Sequence, residues 1–112
     1  VLDFWASWCG PCRQSIPVLN SVYAKFHDQP VSFYGVNVEP NLSVPQLLQA
    51  HRTFNATFPT FQDTTGAVKF AYDVRQLPTI TVLGKDGHIR EVTTGVPSAR
   101  RLEATIRRLL AK

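Results

Sequence analysis

Both cysteines of this 112-residue chain fall in one run, Trp8-Cys9-Gly10-Pro11-Cys12, between an apolar strand-like segment, Val1 to Trp5, and a stretch with helical patterning. A Cys-x-x-Cys at the start of a helix, just after an apolar strand, makes a dithiol/disulfide redox centre the first reading. Residues three apart occupy neighbouring positions of a first helical turn, so the two sulfurs are within reach of a small disulfide. Cys9 is expected to cap the helix and Cys12 to lie inside it. Unpaired N–H groups and the positive end of the helix dipole favour a thiolate at Cys9, lowering its pKa below the roughly 8.5 of a free thiol. Attack by that thiolate on a substrate disulfide gives a mixed disulfide. Cys12 then displaces it, releasing reduced substrate and leaving Cys9 and Cys12 oxidised.

Two plainer readings compete. A Cys-x-x-Cys is also half of a zinc site, but structural zinc takes four ligands, and His27, His51 and His88 are scattered singly with no second half-site. A purely structural disulfide across two intervening residues removes little chain entropy and leaves Trp8, Gly10 and Pro11 without a purpose.

The segment Val1-Leu2-Asp3-Phe4-Trp5-Ala6-Ser7-Trp8-Cys9-Gly10-Pro11-Cys12-Arg13 closely resembles the active-site segment of the thioredoxin superfamily. Pro17 stands where that family carries a helix-kinking proline, and Leu77-Pro78-Thr79 resembles its cis-proline loop. The distal half is more similar to TlpA-like and ResA-like thioredoxins, through Phe58-Pro59-Thr60-Phe61-Gln62-Asp63, Gly66, Tyr72-Asp73-Val74, Leu77-Pro78-Thr79-Ile80 and Gly84-Lys85-Asp86-Gly87-His88-Ile89. The resemblance implies a thioredoxin-like α/β fold, a central mixed β-sheet flanked by helices. It also implies a helix–strand insertion at about Ser43 to Asp63. Residues 1–112 are expected to form one domain. The chain opens at Val1 inside a strand, so an N-terminal hairpin, and often a membrane anchor, is expected to be missing.

Several site residues follow from the resemblance. A cis bond before Pro78 would turn the Leu77 backbone toward the disulfide and offer its N–H and C=O to an extended substrate strand, while the missing N–H of Pro78 prevents competing sheet pairing. Trp8 would shield the sulfur and provide an apolar platform. Together with Gly10 and Pro11, these residues make the expected substrate surface. Asp3 lies where cytosolic thioredoxins carry a buried aspartate and TlpA-like members commonly have asparagine. A carboxyl buried there has a raised pKa and can exchange a proton with Cys12. The plainer reading is a surface carboxylate, since alternation with Leu2 and Phe4 leaves open which face is covered. Ser15 stands where members involved in cytochrome c maturation usually have glutamate, which favours generic thiol–disulfide exchange.

Composition bounds the rest. With 44% hydrophobic residues the chain can bury one core, and no apolar run approaches the roughly 20 residues of a membrane span. The net charge of +4 gathers at Arg100, Arg101, Arg107, Arg108 and Lys112. Leu102, Ile106, Leu109 and Leu110 recur at helical spacing behind a Ser98 cap, so the arginines form a solvated face. No aromatics are interleaved with them, which argues against nucleic acid. Further strands are expected at Val31 to Val38, Thr79 to Leu83 and Ile89 to Thr94, with a short piece near Thr60. Helices are expected at Pro11 to Phe26, from an Asn41 or Ser43 cap to Phe54, and around Ala67 to Tyr72.

The expectation is thus a monomeric, extracytoplasmic thiol-disulfide oxidoreductase running as a protein-disulfide reductase, without organic cofactor or metal. Its partners would be disulfide-bearing or thiol-bearing client proteins and, by the resemblance, a membrane thiol-electron donor. The same chemistry run in reverse gives a net disulfide-forming oxidant. A non-enzymatic module holding a thiol client or a metal is the reading from another class. A peroxidase is disfavoured, because Ala6 stands where the Thr-x-x-Cys of a peroxidatic cysteine needs threonine.

Overall fold

The computed structural model describes residues 1–112. Its elements are β1 (Leu2–Trp5), α1 (Gly10–Phe26), β2 (Tyr34–Asn37), α2 (Val44–Phe54), β3 (Thr60–Gln62), α3 (Ala67–Ala71), β4 (Thr79–Leu83), β5 (Ile89–Thr94) and α4 (Ala99–Leu110). The five strands form one mixed sheet ordered β3-β2-β1-β4-β5. Parallel pairing joins β1 to β2 and β2 to β3, while β4 runs antiparallel to both β1 and β5. The strand at the centre is thus the one that leads into the cysteine run.

Both faces of β1 are covered, which period-2 alternation alone does not reveal. Phe4 packs with Val36 and Val74 on one face. Trp5 joins Ile16, Leu19, Ile80 and Leu102 in the larger core on the other, beneath α1, α2 and α4. In α1 the buried residues Ile16, Leu19, Val22 and Phe26 recur every three or four positions and make the stripe that docks on the sheet. Lys25 of α1 pairs with Glu103 of α4 at 2.8 Å.

Local chemistry sets the boundaries. Ser43 caps α2 in a reciprocal box: its hydroxyl accepts from the Gln46 N–H and its own N–H donates to Gln46 Oε1. Asn55 ends the helix in the left-handed region, at φ 61°. Ser98 Oγ caps α4 by accepting from the Arg101 N–H, and Arg100, Arg101, Arg107 and Arg108 are exposed. Gly35 on β2 is required by a close approach, since a Cβ there would stand 2.7 Å from Thr60 Oγ1 and 3.1 Å from Trp5 Nε1. Those two atoms are joined, the indole N–H donating to the hydroxyl at 3.0 Å.

The second strand is shorter than its apolar run suggests. Pairing starts at Tyr34, opposite Leu2, so Val31 to Phe33 have no partner on β1. Phe33 is nevertheless buried, packed edge-on against Tyr23, so its apolar character reflects the core and not the ladder. The helix and strand expected between Ser43 and Asp63 are α2 and β3.

Candidate active site

Cys9 and Cys12 are joined in a disulfide, with their Cα atoms 5.2 Å apart. Cys9 has extended backbone and is the N-cap of α1, its Sγ accepting the Cys12 N–H at 3.2 Å. The outer sulfur therefore occupies the place of an oxygen cap, facing donors that a helix leaves unpaired at its first turn. Cys12 is fully buried and Cys9 keeps only 4% exposure, next to exposed Gly10 and Pro11. Below them, buried Ser15 donates to the Cys12 carbonyl at 2.8 Å.

Sheet register brings distant segments to this point. The antiparallel pair Phe4↔Thr79 sets Pro78, one residue before Thr79, next to the end of β1 from which the chain leaves for Cys9. The Leu77–Pro78 peptide is cis. Pro78 is buried, and its carbonyl accepts the Gly95 N–H at 2.9 Å. The N–H and C=O of Leu77 have no hydrogen-bond partner within the chain. Leu77 shares a groove of about 320 Å³ with Trp8, whose ring is 73% exposed. A half-buried residue with both backbone groups unpaired beside an open groove is ready to bind another extended backbone.

Asp3 is 2% exposed. It lies opposite Ile80 in the antiparallel ladder and two residues from Trp5, so it shares the face on which Cys12 and Ile16 are packed. Neither carboxylate oxygen has a hydrogen-bond partner. Desolvation by burial pushes its pKa up to about 7. The face that Asp3 occupies, undecided in the sequence, is thus the one beneath α1.

Three further residues border the site without having been singled out by type or spacing: Glu39, Lys69 and Arg75. Glu39 Oε1 accepts the Ser7 N–H at 2.6 Å and an Asn37 amide N–H at 3.0 Å, while Oε2 accepts the Ser7 hydroxyl at 2.8 Å. The carboxylate thereby ties the loop between β1 and α1 to the end of β2. Its signal in the sequence is the polar pair Asn37 and Glu39 closing an otherwise apolar run, at the carboxyl end of the strand where α/β sheets gather ligands. Arg13, next to Cys12, lies over the Phe54 ring at 5.2 Å and does not line the groove between Trp8 and Leu77. No group of three or more His, Cys, Asp or Glu side chains converges as metal ligands.

The comparisons agree with this geometry. Residues 1–92 match the family model described as the AhpC/TSA family. The chain is 36% identical over 103 residues to the thiol-disulfide oxidoreductase ResA of Geobacillus kaustophilus, an alignment that takes in 91% of this chain and 58% of that relative. It spans a little over half of the curated relatives it matches. A solved structure from Chlorobium tepidum, assigned as thiol:disulfide interchange protein DsbE, superposes with a TM-score of 0.85 at 31% identity, covering 97% of this chain and 77% of that one. StoA of Bacillus subtilis superposes with a TM-score of 0.78 at 28% identity, covering 92% and 78% respectively. With a Cys-x-x-Cys capping the first helix of a thioredoxin-like sheet, the chain belongs to the AhpC/TSA family, among relatives that include thiol-disulfide oxidoreductases.

Proposed function

We propose that this chain is a thiol-disulfide oxidoreductase that reduces protein disulfides through the Cys9/Cys12 pair. The observation that carries the reading is the Cys9 sulfur held at a helix N-terminus beside the unpaired Leu77 backbone. In the reduced form the Cys12 N–H and the helix dipole favour negative charge on Cys9. The Cys9 thiolate attacks one sulfur of a client disulfide, and the other client sulfur leaves as a thiolate that takes up a proton. Cys12 gives up its proton and attacks Cys9, expelling the second client sulfur. Two electrons pass to the client, and the Cys9–Cys12 bond remains.

Asp3, on the same face as Cys12 and able to titrate near neutral pH, is the group we assign to receive the Cys12 proton. Trp8, Gly10, Pro11, Leu77 and Pro78 form the surface that receives a client strand, and residues 1–112 act as one thioredoxin-like unit. The cycle needs no organic cofactor or metal. It does need an external thiol donor to restore the dithiol. ResA-like resemblance supports an extracytoplasmic location and a membrane thiol-electron donor; no helix of this chain is long and apolar enough to cross a membrane.

The test is the equilibrium reduction potential of the pair, read from tryptophan fluorescence in graded thiol/disulfide buffers. A value near or below about −270 mV supports the reductase direction, whereas one near about −120 mV reverses it. Failure to form a reversible disulfide removes the oxidoreductase reading.

A further inference from the structure

The groove beside the disulfide has an uneven charge pattern. Its lining includes one carboxylate, Glu39, and two cations, Lys69 and Arg75. Glu39 is already engaged, both oxygens accepting from Ser7 and Asn37. Lys69 has no side-chain hydrogen bond or ion pair, and it is exposed. Arg75 uses Nε to bind Asp73 Oδ1 at 2.9 Å, which leaves its two terminal amino groups without a partner. The charged groups on this lining that still have free hydrogen-bonding capacity are therefore the two cations, the Lys69 ammonium and the terminal amino groups of Arg75.

The two cations are also held in place from behind. Buried Asp63 accepts the Lys69 N–H at 2.8 Å and the Val68 N–H at 3.2 Å, fixing the backbone from which the lysine projects. Asp73, in the left-handed region at φ 53°, turns the chain so that its carboxylate meets Arg75 two residues on. Lys69 and Arg75 line this groove on one side and a second, containing exposed Phe70, on the other. The two cations thus stand between the pockets, and Trp8 and Leu77 line the first of them.

We infer that Lys69 and Arg75 select clients carrying an acidic side chain close to the attacked cysteine. The inference rests on the oxidoreductase reading above and names the class of client it prefers. A client strand lying along Leu77 advances about 3.3 Å per residue. Arg75 is two residues from Leu77, so the acidic side chain falls roughly two residues from the client cysteine. A carboxylate there meets the fork of Arg75 and the ammonium of Lys69, with the Trp8 ring as the apolar wall. Exposed ion pairs are individually weak, so two together give a preference of roughly three- to tenfold.

The experiment uses peptides closed by one intrachain disulfide, with Glu or Gln placed two residues outside each cysteine. Pre-reduced protein is mixed with each peptide, and the second-order rate of disulfide reduction is followed by chromatography at low and high salt. The expected result is roughly three- to tenfold faster reduction of the Glu peptide at low salt, fading at high salt because exposed charges are screened. The ratio should fall to about 1 in the Lys69→Gln/Arg75→Gln double variant, and Lys69→Glu should move it toward the Gln peptide. Equal rates for both peptides in the unaltered protein overturn the selectivity while leaving the oxidoreductase reading intact. A Glu preference that survives in the double variant overturns the assignment to these residues. Reduction of neither peptide removes the underlying reading, and the inference with it.

Discussion

Replacing Asp3 by asparagine should remove a large pH dependence from the stability of the oxidised protein. The carboxyl is 2% exposed, lacks any hydrogen-bond partner, and has its pKa pushed up to about 7 from the ordinary 3.8. Between those values the folded chain keeps a proton that the unfolded chain has released, so folding takes up a proton and stability falls as pH rises. Below 3.8 both states are protonated, and above about 7 both are ionised, so the loss accumulates only inside that window. At about 1.4 kcal/mol per pKa unit, the difference between the two values amounts to about 4 kcal/mol. The amide that replaces the carboxyl cannot ionise. Its burial imposes a cost of its own, but that cost is the same at every pH. The readout is therefore how the variant-minus-wild-type difference changes with pH, which also cancels all other titrating groups. Guanidinium unfolding of both oxidised proteins at pH 4.5, 6, 7 and 8, followed by far-UV circular dichroism, should show the variant gaining on the wild type by about 3 to 4 kcal/mol. A difference that stays flat across the series refutes the argument that Asp3 is an unpaired, buried carboxyl.

Gly35→Ala should destabilise the protein by about 1 to 3 kcal/mol, because the added methyl meets Thr60 Oγ1 at 2.7 Å and must displace the hydroxyl that Trp5 donates to. Thermal unfolding measures it, and pairing with Thr60→Ser, which keeps the same Oγ contact, should give little relief. Glu39→Ala removes the acceptor shared by the Ser7 N–H, the Ser7 hydroxyl and the Asn37 amide, at a cost of about 1 to 3 kcal/mol. The accompanying loosening of the Ser7–Trp8 loop should appear as a red-shifted or quenched Trp8 emission; an unchanged melt and spectrum would show that the clamp contributes nothing.

How much of the fold and site is legible in the sequence depends on whether a residue's type announces its environment. The cysteines and Pro78 do so, since three-residue spacing and a proline before a β-branched run restrict the backbone wherever they occur. The same holds for the caps at Ser43 and Ser98, which are local chemistry, and for α1, whose apolar period needs no knowledge of its partner. Val31 to Phe33 read as strand because burial and β-preference look alike in a sequence, but a strand needs a paired neighbour, and β1 begins opposite Tyr34. Asp3 stays undecided because alternation gives a face and not its cover. Glu39, Lys69 and Arg75 are hidden for a different reason. They reach the site from the end of β2, from α3 and from the α3–β4 connection only through tertiary packing, and charged residues of those types are most often simply solvated.

The grip of Glu39 on Ser7 has a bearing on how little needs to move when electrons do. The loop carrying Trp8 and Cys9 is moored at its near end to β2 through Glu39, independently of the sulfur–sulfur bond, and at its far end it is already the first turn of α1. Opening the disulfide therefore releases one covalent link from a frame that is fastened on both sides without it. The expected consequence is that reorganisation stays close to the sulfurs and that the oxidised and reduced forms present the same walls to a visitor. On that expectation the surrounding surface acts as a fixed mould and not as a switch.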